Sequence, residues 1–149
     1  MDYCTSLYYG VTGEVHKKLQ SVLNAAARLI TGQRRSEHIS GTLKELHWLS
    51  VPQRITYKVA SLTRRCLKHQ GPQYLSDHLT PVHTVQARSH LRSADRGDLI
   101  LPRSFTTRAG GRDFRTSGPK VWNSLPVSLR NCDLSCPSFR SKLKTHLYS

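Results

Sequence analysis

From Gly13 to Gly32 the residues Val15, Leu19, Val22, Leu23, Ala26 and Ile30 recur every three or four positions, which gathers them on one face of an α-helix. Lys17, Gln20, Ser21, Asn24 and Arg28 fill the opposite side, and Gly32 stands where a helix would stop. A second stripe, Val51, Ile55, Val59, Leu62 and Cys66, predicts another long helix ending near His69. Ser50 and Gln53 form a capping box at its start, with Pro52 in the first turn. Thr42 and Glu45 repeat that signal and predict a short helix from Leu43 to Trp48. Gly71 and Pro72 break the chain, and PQYLSDHL predicts a further short helix. One amphipathic helix cannot bury its apolar face alone. The first helix is therefore expected to organise the fold, against Leu43, Leu46, Trp48, Ile55, Val59, Leu62, Tyr74, Leu75 and Leu79.

From Thr80 the pattern changes. Lysine is absent between Val82 and Thr116, while arginine recurs, partly offset by Asp95, Asp98 and Asp113. Leu99, Ile100 and Leu101 suit one strand, with Phe105 to Arg108 as a hairpin mate. A short helix holds Phe114, and Gly118-Pro119 precedes Val121, Trp122 and Leu125. Pro137 then starts a helix carrying Phe139, Leu143 and Leu147 on one face. The predicted fold is mainly α, with an N-terminal helical bundle of about four helices over residues 1–80. Over residues 81–149 follows a basic, more loosely packed region: an Arg-rich segment able to form a short β-hairpin, then one or two C-terminal helices. The two regions could equally form one continuous domain.

Composition adds the partner. The chain has 149 residues, fits one domain, and is only 37% hydrophobic. Its 23 Lys+Arg against 9 Asp+Glu give a net charge of +14. Such an excess favours a polyanion, with nucleic acid as the first candidate and an anionic membrane surface as the second. No apolar run is long enough to span a bilayer, and MDYCTSLYYG lacks the features of a signal peptide. An intracellular location, nuclear or cytoplasmic, is therefore expected. Cys4, Cys66, Cys132 and Cys136 then read as free thiols.

Most other chemistry finds no residues. Two-metal nucleotidyl transfer needs clustered carboxylates, and the acidic residues are scattered, Asp95 and Asp98 being the closest pair. No phosphate-loop motif occurs, and no serine has a placed base. Cys132, Cys136 and His146 suggest zinc, but the spacing is wide and no second ligand pair follows, so no metal or cofactor is expected. His47 and His69 read as helix-face residues, and Trp48 and Trp122 as core anchors. The positive signal is arginine, whose planar fork suits phosphate oxygens. Arg34, Arg35, Arg64, Arg65, Arg88, Arg92, Arg96, Arg103 and Arg108 are the candidate nucleic-acid-binding residues. A solvated charged face with no binding role is the plain alternative.

Several strings occur in an order that resembles a known pattern: DYCTSLYYG, KLQSVLNAAARLITG, LKELHWLSVPQRITYKV, GPQYLSDHL, SHLRSADRGDLILPRS, GPKVWNSLPVSLR and SFRSKLKTHLY. Together, from Asp2 to Tyr148, they resemble the C-terminal region of the reverse-transcriptase reading frame of jockey-like non-LTR retrotransposons. That family copies element RNA onto nicked chromosomal DNA, and its endonuclease and polymerase palm, with the paired catalytic aspartates, lie upstream of the matching region. The resemblance implies a non-catalytic, basic helical extension that grips RNA or target DNA without sequence preference. It also implies the upstream polymerase region as a partner. No catalytic residue carries over, and no arginine receives an individual role. A free-standing nucleic-acid-binding module, and a translated relic with no selected function, are the alternatives.

Overall fold

The first stripe folds as α1 (Gly13–Thr31), ended by Gly32 in the left-handed conformation at φ 69°. A polar connection leads to α2 (Ile39–Glu45), which begins earlier than the Thr42–Glu45 pair predicts. Thr42 lies inside this helix and is buried, and its hydroxyl donates to Gln33 Oε1 at 2.6 Å instead of capping. The second stripe folds as α3 (Val51–Leu67) with the capping box in place, the Ser50 N–H donating to Gln53 Oε1 at 3.0 Å. Gln20 of α1 accepts from the Val51 N–H at 2.8 Å, so a side chain from the neighbouring helix satisfies another orphan donor of the first turn.

In the computed structural model, residues 5–102, 112–130 and 133–148 are described. After α3 come α4 (Gln73–Ser76), α5 (Arg92–Asp95), α6 (Phe114–Ser124), α7 (Val127–Arg130) and α8 (Cys136–Tyr148). Short 3-10 turns occupy Thr5–Tyr8, Val82–Thr84 and Gln86–Arg88. His47 and His69 are not helix-face residues: they follow α2 and α3 with left-handed backbones, at φ 53° and 54°. The Gly71 turn brings its backbone against α3, where a Cβ would stand 2.6 Å from Cys66 Sγ. α6 continues through Gly118-Pro119, with Asp113 as its N-cap. Gly118 lets α6 lie close to α3, since a Cβ there would sit 3.3 Å from Thr63 Oγ1.

Among the described residues there is no strand. Leu99 forms one antiparallel bridge, with Pro81, flanked by Val82 N–H to Asp98 O and Ile100 N–H to Thr80 O, both 2.9 Å. The other edge of Leu99 is taken by Asn123, whose side-chain amide accepts from its N–H and donates to its carbonyl, each at 2.8 Å. Both edges are thus used, leaving no polar backbone at Leu99 for a hairpin mate. The expected mate, Phe105 to Arg108, lies outside the described residues.

α3 is the centre of the packing: α1, α4, α6, α8 and the Thr5–Tyr8 turn all lie against it. One hydrophobic cluster draws on both ends of the chain, joining Leu23, Ala27, Leu43, Ile55 and Val59 to Trp122, Leu129, Phe139 and Leu143. The stretch after residue 80 is therefore not loosely packed where α6 and α8 are concerned. Trp122 anchors the core as expected, its ring 5.8 Å from that of Phe139 and its N–H donating to Gly97 O at 3.0 Å. Trp48 packs against the cluster from its edge.

Candidate nucleic-acid interface

α3 carries Arg54, Lys58, Arg64 and Arg65 and no acidic residue. α8, packed against it, carries Arg140, Lys142 and Lys144 and again no acidic residue. At 100° per residue, positions 54, 58, 61 and 65 fall within one narrow sector of α3, so Arg54, Lys58, Ser61 and Arg65 form a line along the helix. Position 64 points elsewhere. Where the line meets α8 and the Thr5–Tyr8 turn, the surface sinks into a cleft of about 320 Å³. Lys58, Ser61 and Arg65 line one wall, Arg140 another, and Thr5 and Ser6 close an end. Among the described residues its lining holds no carboxylate.

Basic residues line both helices of this face. Lys144 Nζ lies 5.9 Å from the centroid of the Tyr148 ring, at the far end of the α3–α8 contact. Burial pushes the Tyr148 hydroxyl above its ordinary pKa, and the positive charge of Arg54 opposes that rise. Arg65 is exposed and donates to Gln70 O at 3.1 Å, which holds its stem against the end of α3.

The sequence-predicted arginines distribute unevenly. Arg65 lines the cleft. Arg34 and Arg35 are exposed on the α1–α2 connection, and Arg92 and Arg96 are exposed on α5 and at its C-terminal end. Arg88 belongs to the Gln86–Arg88 turn. Arg103 and Arg108 lie outside the described residues. Arg64 is the correction: it is 2% exposed, donates to the Leu134 carbonyl, and has its guanidinium 5.6 Å from the Phe139 ring centroid. Its position on α3 turns it towards α6 and α8, where it holds the core instead of facing a polyanion.

Sequence reasoning missed Arg54, Lys58 and Arg140. The spacing of 54, 58 and 65 on an acid-free helix was the available signal, but it registers only once the apolar stripe fixes which side faces out. It also missed Arg130, a buried guanidinium paired with Asp98. Burial, and then the charge of Arg96, lower the Arg130 pKa from its ordinary value. Among the described residues no group of three or more His, Cys, Asp or Glu is placed to hold a metal ion, and no helix is long and apolar enough to cross a membrane. Cys66 and Cys136 are free thiols, whereas Cys4 and Cys132 lie outside the described residues. Burial raises the Cys66 thiol pKa, opposed by a Ser76 hydrogen bond and by Arg65.

No protein-family model matches the chain, nor does any curated protein or solved structure.

Proposed function

We propose that this chain binds RNA or DNA through phosphate contacts, without sequence preference, in the manner of the basic helical region that follows the polymerase in non-LTR retrotransposon reverse transcriptases. The observation that carries this reading is the pairing of two basic helices, α3 and α8, with Lys58, Arg65 and Arg140 lining one cleft between them. Phosphate neutralisation by such a line releases condensed counterions and needs no base-edge contact. Arg34, Arg35, Arg92 and Arg96 are also exposed and are further candidates for phosphate contact. The chain's own residues give no nucleotide-transfer chemistry to assign, so the proposed role is to hold nucleic acid.

The test is fluorescence anisotropy with labelled single-stranded RNA, single-stranded DNA and duplex DNA across a range of salt. All should bind at low salt, with log affinity falling linearly against log salt. Replacing Arg54, Lys58 and Arg65 together by Gln should make the slope shallower by about 2–3, at 0.7–0.9 for each lost phosphate contact. Absence of binding in dilute buffer would overturn the proposal. Primer extension by the purified chain with Mg²⁺ or Mn²⁺ would overturn the non-catalytic part of it.

A further inference from the structure

A second cavity, of about 400 Å³, lies at the C-terminal end of α3, between the turn into α4 and the bridge that joins Pro81 to Leu99. Its inner walls are apolar, with Leu79, Leu99, Cys66 and the edge of Trp122 among them. Arg64 and Arg130 also reach the inner end, but both are engaged there, Arg64 with the Leu134 carbonyl and the Phe139 ring and Arg130 with Asp98. The mouth has a different chemistry. Lys68, His69, His83 and Thr84 stand around it, all four exposed. The Thr84 hydroxyl donates to Pro81 O at 2.8 Å, which leaves its oxygen able to accept. Among the described residues no carboxylate lines this cavity.

Apolar walls beneath a polar rim suit an uncharged, flat body with a polar edge and disfavour a bare anion, which they would strip of water. The volume falls in the range of about 300–1,000 Å³ typical of small-molecule sites. An imidazole offers one donor and one acceptor, so His69 and His83 can meet the edge of any base without choosing among them. The position of the cavity supplies the rest. Lys68 stands seven residues beyond Ser61, two helical turns on along the same side of α3. The cavity therefore opens where the line through Arg54, Lys58 and Arg65 ends, and a strand whose phosphates follow that line arrives at its mouth.

We infer that this cavity takes one unstacked base of a bound nucleic-acid strand. The base lies against Leu79, Leu99 and the edge of Trp122, its polar edge meets His69 and His83, and Lys68 holds the adjoining phosphate. That the base arrives on a strand rests on the nucleic-acid reading above; that the cavity takes a base rests on its walls and rim.

Trp48→Phe leaves Trp122 as the one tryptophan, a reporter in the cavity wall. In that background the fluorescence is titrated with thymidine, and thermal unfolding of the parent with thymidine gives a readout that needs no substitution. Anisotropy then compares a short labelled thymidine strand with a strand of equal length whose sugars carry no bases. Thymidine should quench Trp122 and raise the Tm of the parent, both saturably. The base-bearing strand should bind about tenfold more tightly, as expected for one stacked base. Thr84→Phe, at an exposed position, puts a ring in the mouth and should fold like the parent while losing the thymidine response and most of the tenfold preference. Lys142→Gln, on α8 and away from the cavity, should leave both intact. Neither quenching nor a Tm rise with thymidine, or a response that survives Thr84→Phe, would overturn the cavity as the site. Equal affinity for the two strands would overturn the insertion of a strand base, while salt-dependent binding of both would keep the nucleic-acid reading. A thymidine response without binding of either strand would instead overturn the nucleic-acid reading and keep the cavity as a base site.

Discussion

α1 and α3 carry similar apolar stripes, yet they end up in different surroundings. α3 buries Val51, Ile55, Val59, Ala60, Thr63, Arg64 and Cys66, and is enclosed by α1, α4, α6, α8 and the Thr5–Tyr8 turn. α1 buries only Leu23 and Ala27, and packs chiefly on α2 and α3. Val22, Leu29 and Ile30 of α1 remain exposed. An amphipathic period states that a helix has a face to bury, but not how many neighbours will arrive to bury it. Those neighbours are α6 and α8, contributed by the far end of the chain. Enclosure also explains the chemistry of α3. With its apolar sides occupied by partners, its remaining sector is left to Arg54, Lys58 and Arg65.

The largest expected effect tests that enclosure directly. Phe139 is fully buried, packs on Trp122 and lies under the Arg64 guanidinium. Phe139→Ala should cost about 3–5 kcal/mol in denaturant unfolding, through lost transfer energy and the cavity left behind. It should also release Arg64 from its place against the core. A cost below about 1 kcal/mol would mean that α8 is not part of the cooperative core, and α3 would then be no better covered than α1.

The next effect separates the two sides of α1. Leu23 is 3% exposed and Leu29 is 86% exposed, although both are leucines on the same helix. Leu23→Ala should cost about 2–4 kcal/mol, whereas Leu29→Ala should change stability by less than about 0.5 kcal/mol. Urea melts of the isolated chain measure both. Equal costs would show that the outer side of α1 is covered in solution, and the contrast with α3 would disappear.

Most of the helices were legible because their signals are local. The stripes gave α1 and α3, Ser50 and Gln53 gave the start of α3, and Pro137 with Phe139 and Leu143 gave α8. The errors arose where a distant group decided the outcome. Thr42 reads as a cap, but Gln33 takes its hydroxyl and α2 begins at Ile39. Leu99 reads as half of a hairpin, but Asn123 satisfies the edge that a mate would need. Arg64 and Arg65 are adjacent and indistinguishable in sequence, and 100° of helical rotation sends one into the core and the other into the cleft. The basic site was only partly readable for the same reason. Arg140 reaches it from α8, and no local pattern reports that α8 lies beside α3.

The smallest effects compare how the two long helices end. α1 stops at Gly32, whose φ of 69° costs a glycine nothing, and a Cβ there would meet no atom within 4 Å. α3 ends at Lys68, and His69 then takes up a left-handed backbone at φ 54°, its N–H donating to Cys66 O at 3.1 Å. For a residue with a side chain that conformation carries a penalty of about 1 kcal/mol. Gly32→Ala should therefore lower stability by about 1 kcal/mol through backbone strain alone, since space is open at that position. His69→Gly should act in the opposite direction. It relieves the strain but also loosens the unfolded chain, leaving a net gain of at most about 0.5 kcal/mol. Opposite signs in matched thermal melts would locate the difference between the two ends in the backbone. A loss on His69→Gly would mean that the imidazole makes contacts in the folded state worth more than the strain it imposes.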